Sequence, residues 1–261
     1  MRNLILGVAV AIIILLTAGM AVCEQNGLVL YLPFDEGEGG VAEDLSGSGN
    51  DGVLMGGPEW VDGKFGKALE FDGADDLVNC GNDNSLDVPQ AITIESWINP
   101  YEIHKSWIRI IQKCNVGGTR NSWCLIFSGS SQKLVMEIWG NGTMRDVKAT
   151  SDAPLNGWTH AACTYDGLAA KIYINGVLEN GIQNVVSMDI GTNDLNAVVG
   201  SSDDDPRGFK GIIDEVRVWN RVLEEDEIRE NMDKGKEEFL NTAVNRSNKL
   251  ATVWGSIKDW R

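Results

Sequence analysis

From residue 27 onward, apolar residues fall in short runs divided by glycine, asparagine and aspartate. "LVLYLPF", "ALEFDG", "LVNCG", "AITIESWINP", "WIRIIQK", "WCLIFSG", "KLVMEIWGNG", "WTHAACTYDG", "AKIYINGVLE", "AVVGSS" and "GIIDEVRVW" each have strand length. In "AITIESWI" the residues Ile92, Ile94 and Ile98 share one face of a period-two pattern, with Thr93, Glu95 and Trp97 on the other. Asn175-Gly176, between "AKIYI" and "VLE", predicts a two-residue hairpin, because both central positions of a type I′ turn need positive φ. Asn141-Gly142 after "EIW" is a second such signal. Strands in series with turns between them, and no helices between, predict a two-sheet antiparallel sandwich rather than a parallel α/β sheet.

One segment breaks the pattern. "LEEDEIRENM", residues 223–232, clusters acids at 224–227, where they suit the positive end of a helix dipole, and sets Leu223, Ile228 and Met232 near one face. Beyond it, residues 236–261 switch to mixed charge with spaced apolar positions (Phe239, Leu240, Leu250, Val253, Trp254, Ile257, Trp260). They read as a helical or partly ordered extension. No internal repeat is evident, so residues 27–235 form one domain with a tail.

The amino terminus is a different kind of segment. A single positive charge precedes "LILGVAVAIIILL", and small residues follow at Ala18, Gly19 and Ala21. Residues 1–22 therefore read as a secretory signal cleaved after about Ala21. Two alternatives stay open: an uncleaved anchor, since Leu4 to Val22 is 19 residues, and a lipid on Cys23, against which the bulky Val22 counts. Each implies export, to a secreted, periplasmic or cell-surface location. With cleavage no stable membrane span is left, and a monomer is expected.

Composition narrows the partners. Apolar residues are 43% and charged residues 23%, ordinary for a globular chain, and the net charge is −16. Removing 1–22 takes away only Arg2, leaving 21 basic against 38 acidic residues, or −17. Such a chain repels nucleic acid and anionic membranes. Of five cysteines, Cys23 lies at the cleavage region, and no CxxC or Cys/His spacing suggests zinc. Cys114 and Cys124 flank the polar loop "NVGGTRNSW" and are expected to face each other across a hairpin, where an oxidising compartment permits a disulfide. Cys80 and Cys163 lie in strand-like segments and are expected to pack as small hydrophobes.

The segments "LYLPFDEGEG…AEDLSGSGNDGVLMG", "GKFGKALEFDGADDLVNCG", "ITIESWINP", "GWTHAACTYDGLAAKIYINGV" and "FKGIIDEVRVWNRVL" follow in an order that resembles the LamG-like jelly-roll family, within the concanavalin A-like lectin/glucanase superfamily. The resemblance covers roughly residues 27–235. It implies an all-β, curved two-sheet jelly-roll sandwich with one short C-terminal helix. It does not determine activity, because the superfamily hosts lectins, glycosidases, adhesion modules and spacers.

The candidate chemistry is sparse. Asp214 and Glu215 are adjacent on a strand, so their side chains are expected to diverge and not to form the carboxyl pair, about 5–5.5 Å apart, of a retaining glycosidase. Glu70 and Asp72 in "EFDGADD" have the spacing of the glucanase branch, but Gly73 breaks the strand and no Glu follows. His104 and His160 are the only histidines, and no GxSxG, HExxH or GxxxxGK[ST] occurs. Calcium suits the glycine- and oxygen-rich loop "DLSGSGNDG", residues 44–52. The resemblance implies a structural calcium held by Asp44, Asn50 and Asp214. The competing reading has Asp44 opening a turn and Asp214 satisfying loop donors by itself. Among nine tryptophans, Trp60, Trp107, Trp123 and Trp139 lie near loops or strand ends and are candidate sugar platforms, whereas Trp97, Trp158 and Trp219 read as core. The expectation is an exported, non-catalytic module that binds carbohydrate and carries a structural Ca2+. The alternatives are a cell-surface adhesion module that binds protein and, third, a diverged glycosidase.

Overall fold

The computed structural model describes residues 27–103, 107–114, 122–129, 131–184, 186–202 and 208–242. The expected signal at 1–22, Cys23, His104, Trp254 and Trp260 lie outside them. The chain opens with β1 (Leu28–Leu32), β2 (Val41–Ala42), β3 (Gly52–Met55), β4 (Glu59–Asp62), β5 (Lys67–Asp72) and β6 (Leu77–Asn79). β7 (Ile92–Pro100), β8 (Arg109–Lys113), β9 (Trp123–Phe127), β10 (Leu134–Gly140) and β11 (Thr143–Lys148) follow. β12 (Thr159–Tyr165), β13 (Ala169–Ile174), β14 (Val177–Gln183), β15 (Val198–Val199) and β16 (Lys210–Trp219) lead to the helix α1 (Glu225–Met232).

The strands form two antiparallel sheets, giving the all-β jelly-roll sandwich expected. Sheet A runs β14-β13-β12-β7-β16-β5-β4, and β1 joins it beside the far half of β16. Sheet B runs β11-β10-β9-β8-β15-β6-β3-β2. The main core lies between them. Ile92, Ile94 and Ile98 of β7 enter it from sheet A, with Leu125 and Phe127 of β9 from sheet B. Both predicted hairpin turns form. Asn175 and Gly176 (φ 50° and 73°) join β13 to β14, and Asn141 and Gly142 (φ 50° and 73°) join β10 to β11.

The other face of β7, with Thr93, Glu95 and Trp97, is also buried. α1 lies across the outward side of sheet A, where Leu223 and Ile228 join Leu28, Tyr31, Tyr173 and Trp219 in a second apolar cluster. A further helical segment at 236–242 completes this cover, with Phe239 as its buried wedge. The start of the tail thus docks through a phenylalanine. α1 begins with a capping box in which the Glu227 carboxylate accepts the Glu224 N–H at 3.0 Å.

Candidate functional site

Asp44 and Asn50 come together as expected; Asp214 does not join them. Asp44 Oδ1 accepts the backbone N–H groups of Tyr31 and Ser46, both at 2.9 Å. Its Oδ2 accepts the Ser46 hydroxyl at 2.8 Å and the Asn50 N–H at 2.9 Å. Four donors occupy roughly the four acceptor positions of a carboxylate, leaving little for a cation. Leu45 N–H also bonds Tyr31 C=O, so this loop lies along the edge of β1 that faces away from β16. Asp214 belongs to β16 on the other side, about two strand spacings away, or ~10 Å. There its Oδ2 accepts the Lys64 and Phe65 N–H groups at 2.8 and 3.0 Å. The geometry therefore does not fit one calcium ion shared by Asp44, Asn50 and Asp214: each aspartate ties down its own loop.

Asp214 and Glu215 depart from expectation in a second way. β16 has a bulge between Asp214 and Arg217, and Glu215 adopts φ 53°. A bulge interrupts strict alternation, so both carboxyl groups turn to the α1 side of sheet A. Glu215 Oε2 accepts the Tyr31 hydroxyl at 2.8 Å and pairs with Arg217. The Arg217 guanidinium lies against two rings, 4.7 Å from the Tyr31 centroid and 4.2 Å from the Phe239 centroid. Glu95 accepts the Trp219 indole N–H at 3.2 Å and the Asn231 amide at 3.1 Å. Burial pushes the Asp214 carboxyl up to about 8 and raises Glu95 and Glu215, while it lowers His160 to about 3. All these side chains are sealed beneath α1 and the 236–242 segment, so a saccharide has no route to the carboxyls. Asp72 Oδ1 accepts the Ala74 N–H at 2.7 Å and the Asp72 N–H donates to Asp76 Oδ2 at 2.8 Å, so the acids at the end of β5 and after it hold a turn. Among the described residues, the one group of three His, Cys or acidic donors already clustered is Asp72, Asp75 and Asp76, a surface acidic turn.

The outward face of sheet B is different. Strand register sets one row of neighbours across all eight strands: Asp146, Glu137, Cys124, Gln112, Val198, Asn79, Val53 and Val41. Beside it run Lys148, Val135, Ile126 and Arg109, and then Met144 next to Trp139. Acids, amides, a guanidinium and an indole thus share a face whose middle, from Val135 and Cys124 to Gln112 and Val198, is buried and whose β2–β3 end is exposed. Burial raises the Glu137 carboxyl, against the opposing charge of Arg109. At its β2–β3 end this face opens into a cleft of about 540 Å3. Asn50, Asp51, Asn79, Asn82 and Asp83 line it with oxygens and amides, and Val53 and Met55 line it with aliphatic surface. Val41, Val53 and Met55 are 50%, 51% and 48% exposed, high for side chains of their size.

The expected aromatic platforms divide accordingly. Trp139 lies on this face, half-buried, with its indole beside the Glu137 carboxylate. Trp107 is 38% exposed just before β8. Trp123 is not a platform. It points with Leu125 and Phe127 into the main core, and its indole donates to the Leu86 carbonyl at 3.3 Å. Trp60 packs against the edge of that core and donates to the Gly39 carbonyl at 3.0 Å. Cys114 and Cys124 are unbridged thiols. Register sets Cys124 opposite Gln112, which leaves Cys114 on the diagonal rather than across the hairpin. The amide and carboxylate cleft had no sequence signal of its own, because its walls come from two segments, 49–55 and 79–83, that are distant in sequence.

The family model for the concanavalin A-like lectin/glucanases superfamily matches residues 72–229, more than half of the chain. No curated protein sequence matches it. The fold is similar to the binding domain of Paraclostridial Mosquitocidal Protein 1 (TM-score 0.63, 17% identity), over 78% of this chain and 51% of that one. It is similar to domain 4 of AbnA, an extracellular arabinanase of Geobacillus stearothermophilus, solved in complex with arabinotriose (TM-score 0.62, 22% identity, 78% and 98%). It is also similar to the binding domain of botulinum neurotoxin serotype G (TM-score 0.60, 15% identity, 78% and 50%). The chain spans about half the length of the toxin binding domains. Among the described residues no helix is long and apolar enough to cross a membrane.

Proposed function

The chain belongs to the concanavalin A-like lectin/glucanases superfamily, and from that premise we propose that it is an exported, non-catalytic recognition module that binds carbohydrate on the outward face of sheet B. The observation that carries this reading is the cleft at the β2–β3 end. Amide side chains offer donors and acceptors together, carboxylates add acceptors, and Val53 and Met55 supply aliphatic surface for the C–H face of a sugar ring. Trp139 extends the same face with an indole. The arabinotriose complex of the AbnA domain supports the ligand class at the level of fold. Catalysis is not proposed, because the paired acids of β16 are sealed beneath α1.

A panel of soluble glycans and insoluble polysaccharides tests the reading with the full chain. Saturable binding to one sugar class is expected, weakened about tenfold by Val53→Asp or Met55→Lys, which set a charge on the aliphatic wall. A folded protein that binds nothing across the panel would overturn it. One observation favours a second reading. Val41, Val53 and Met55 form a contiguous exposed apolar group, which suits a protein partner as well as a sugar. Under that reading the same two variants abolish capture of a cell-surface protein and leave glycan binding absent throughout.

A further inference from the structure

Two thiols on the outward face of sheet B are not used by the recognition reading. Cys124 lies in β9, and Cys114 follows the end of β8 on the same face. They are 0% and 7% exposed and form a small cluster with Ile126 and Val135. Each sulfur faces an oxygen. Cys114 Sγ donates to Gln112 Oε1 at 3.3 Å, and Cys124 Sγ donates to Glu137 Oε2 at 3.7 Å. The thiols are also within hydrogen-bonding reach of each other, which together with burial raises the Cys124 thiol well above its usual range.

The spacing distinguishes two uses of such a pair. Diagonal neighbours on adjacent strands have Cα atoms roughly 7–8 Å apart, beyond the ~4.4–6.8 Å that a disulfide spans. A metal ion bridges a longer gap, since two bonds of about 2.3 Å hold sulfurs up to ~4.6 Å apart. Thiolate donors select soft or borderline cations. We infer that Cys114 and Cys124 bind one thiophilic divalent cation, of the Zn(II) and Cd(II) class, through both sulfurs, with Glu137 and Gln112 supplying oxygen donors. Binding replaces two S–H bonds by two sulfur–metal bonds and releases two protons to solvent. Two thiolates and one carboxylate around the ion leave one net negative charge, which Arg109 on the same face offsets. A turn of the Glu137 side chain closes the set, because its carboxylate already meets Cys124 and lies beside Trp139.

Cadmium titration of the reduced full chain, followed by thiolate-to-cadmium charge-transfer absorption, tests the site. One equivalent saturates the band, and the melting midpoint rises with it. Cys114→Ser and Cys124→Ser each abolish the band while melting cooperatively, and Glu137→Gln weakens binding about tenfold. Because a serine at buried position 124 is the riskier change, the Cys114→Ser result stands alone if Cys124→Ser fails to fold. No band in the native protein, a band surviving in Cys114→Ser, or an intact mass showing the two cysteines already bridged would overturn the site. None of these outcomes depends on whether the face binds sugar.

Discussion

At the scale of single residues, Asp214 makes stability fall as pH rises, against buried His160, whose lowered pKa makes it rise with pH below about 6.5. The folded pKa of Asp214, about 8, lies far above the unfolded value of 3.8. Between those limits the folded protein keeps a proton that the unfolded chain releases, so stability falls as pH rises through the window. Glu95 and Glu215, also raised by burial, push in the same direction. Asp214→Asn keeps an acceptor for the Lys64 and Phe65 N–H groups and removes the titration. Urea melts at pH 5 and pH 8 are expected to show a flatter profile for this variant, with a gain of about 1–3 kcal/mol at pH 8. An unchanged slope would mean that Asp214 is ionised in the fold. Phe239 is the second decisive residue, since its ring covers Arg217 and meets Tyr31 edge-on at 4.9 Å. Phe239→Ala is expected to destabilise by about 3–5 kcal/mol in the same assay. None of this was legible from adjacent acids in a strand pattern. Alternation predicts divergence, and only the bulge, with Glu215 at positive φ, turns both to one side.

At the scale of elements, the hairpins and α1 follow local chemistry closely. The β13–β14 turn needs Gly176 twice over. Its φ is 73°, and a Cβ there would lie 2.8 Å from Arg229 Cγ on α1. Gly176→Ala is expected to cost 1 kcal/mol or more, read as a lower melting midpoint, whereas Asn141→Gly in the freer β10–β11 turn leaves it within about a degree or two. Strand alternation located Ile92, Ile94 and Ile98 in the core from their spacing alone. Nearness to a polar loop misassigned Trp123, because that nearness says nothing about which face a strand end presents. The same limit applied to Thr93, Glu95 and Trp97: their shared face was legible, and the helix that buries it was not.

For the whole molecule, the cover over sheet A serves stability, and the proposed recognition is confined to the exposed β2–β3 end of sheet B. A chain ending at residue 234 loses Phe239 and leaves Arg217 and Tyr31 uncovered. It is expected to melt many degrees lower and to show red-shifted tryptophan emission from Trp219, with which Phe239 is in edge contact at 6.1 Å. Calcium offers the complementary test. Since hydrogen bonds saturate Asp44 and β1 separates it from Asp214, adding a chelator is expected to leave the melting midpoint unchanged. A fall of several degrees would show that these loops rearrange around an ion.

The strand pattern, the Asn-Gly turns and the acid-rich helix start were enough to determine a two-sheet antiparallel sandwich, because those signals act between residues a few positions apart, and the family resemblance of five phrases in order implied the jelly roll. Tertiary structure alone decided which loops Asp44 and Asp214 hold, that Trp123 is core, that Cys114 and Cys124 sit on a diagonal, and that a cleft opens at the β2–β3 end. Each depends on register between strands distant in sequence, and a shift of one residue moves a side chain to the opposite face of its sheet.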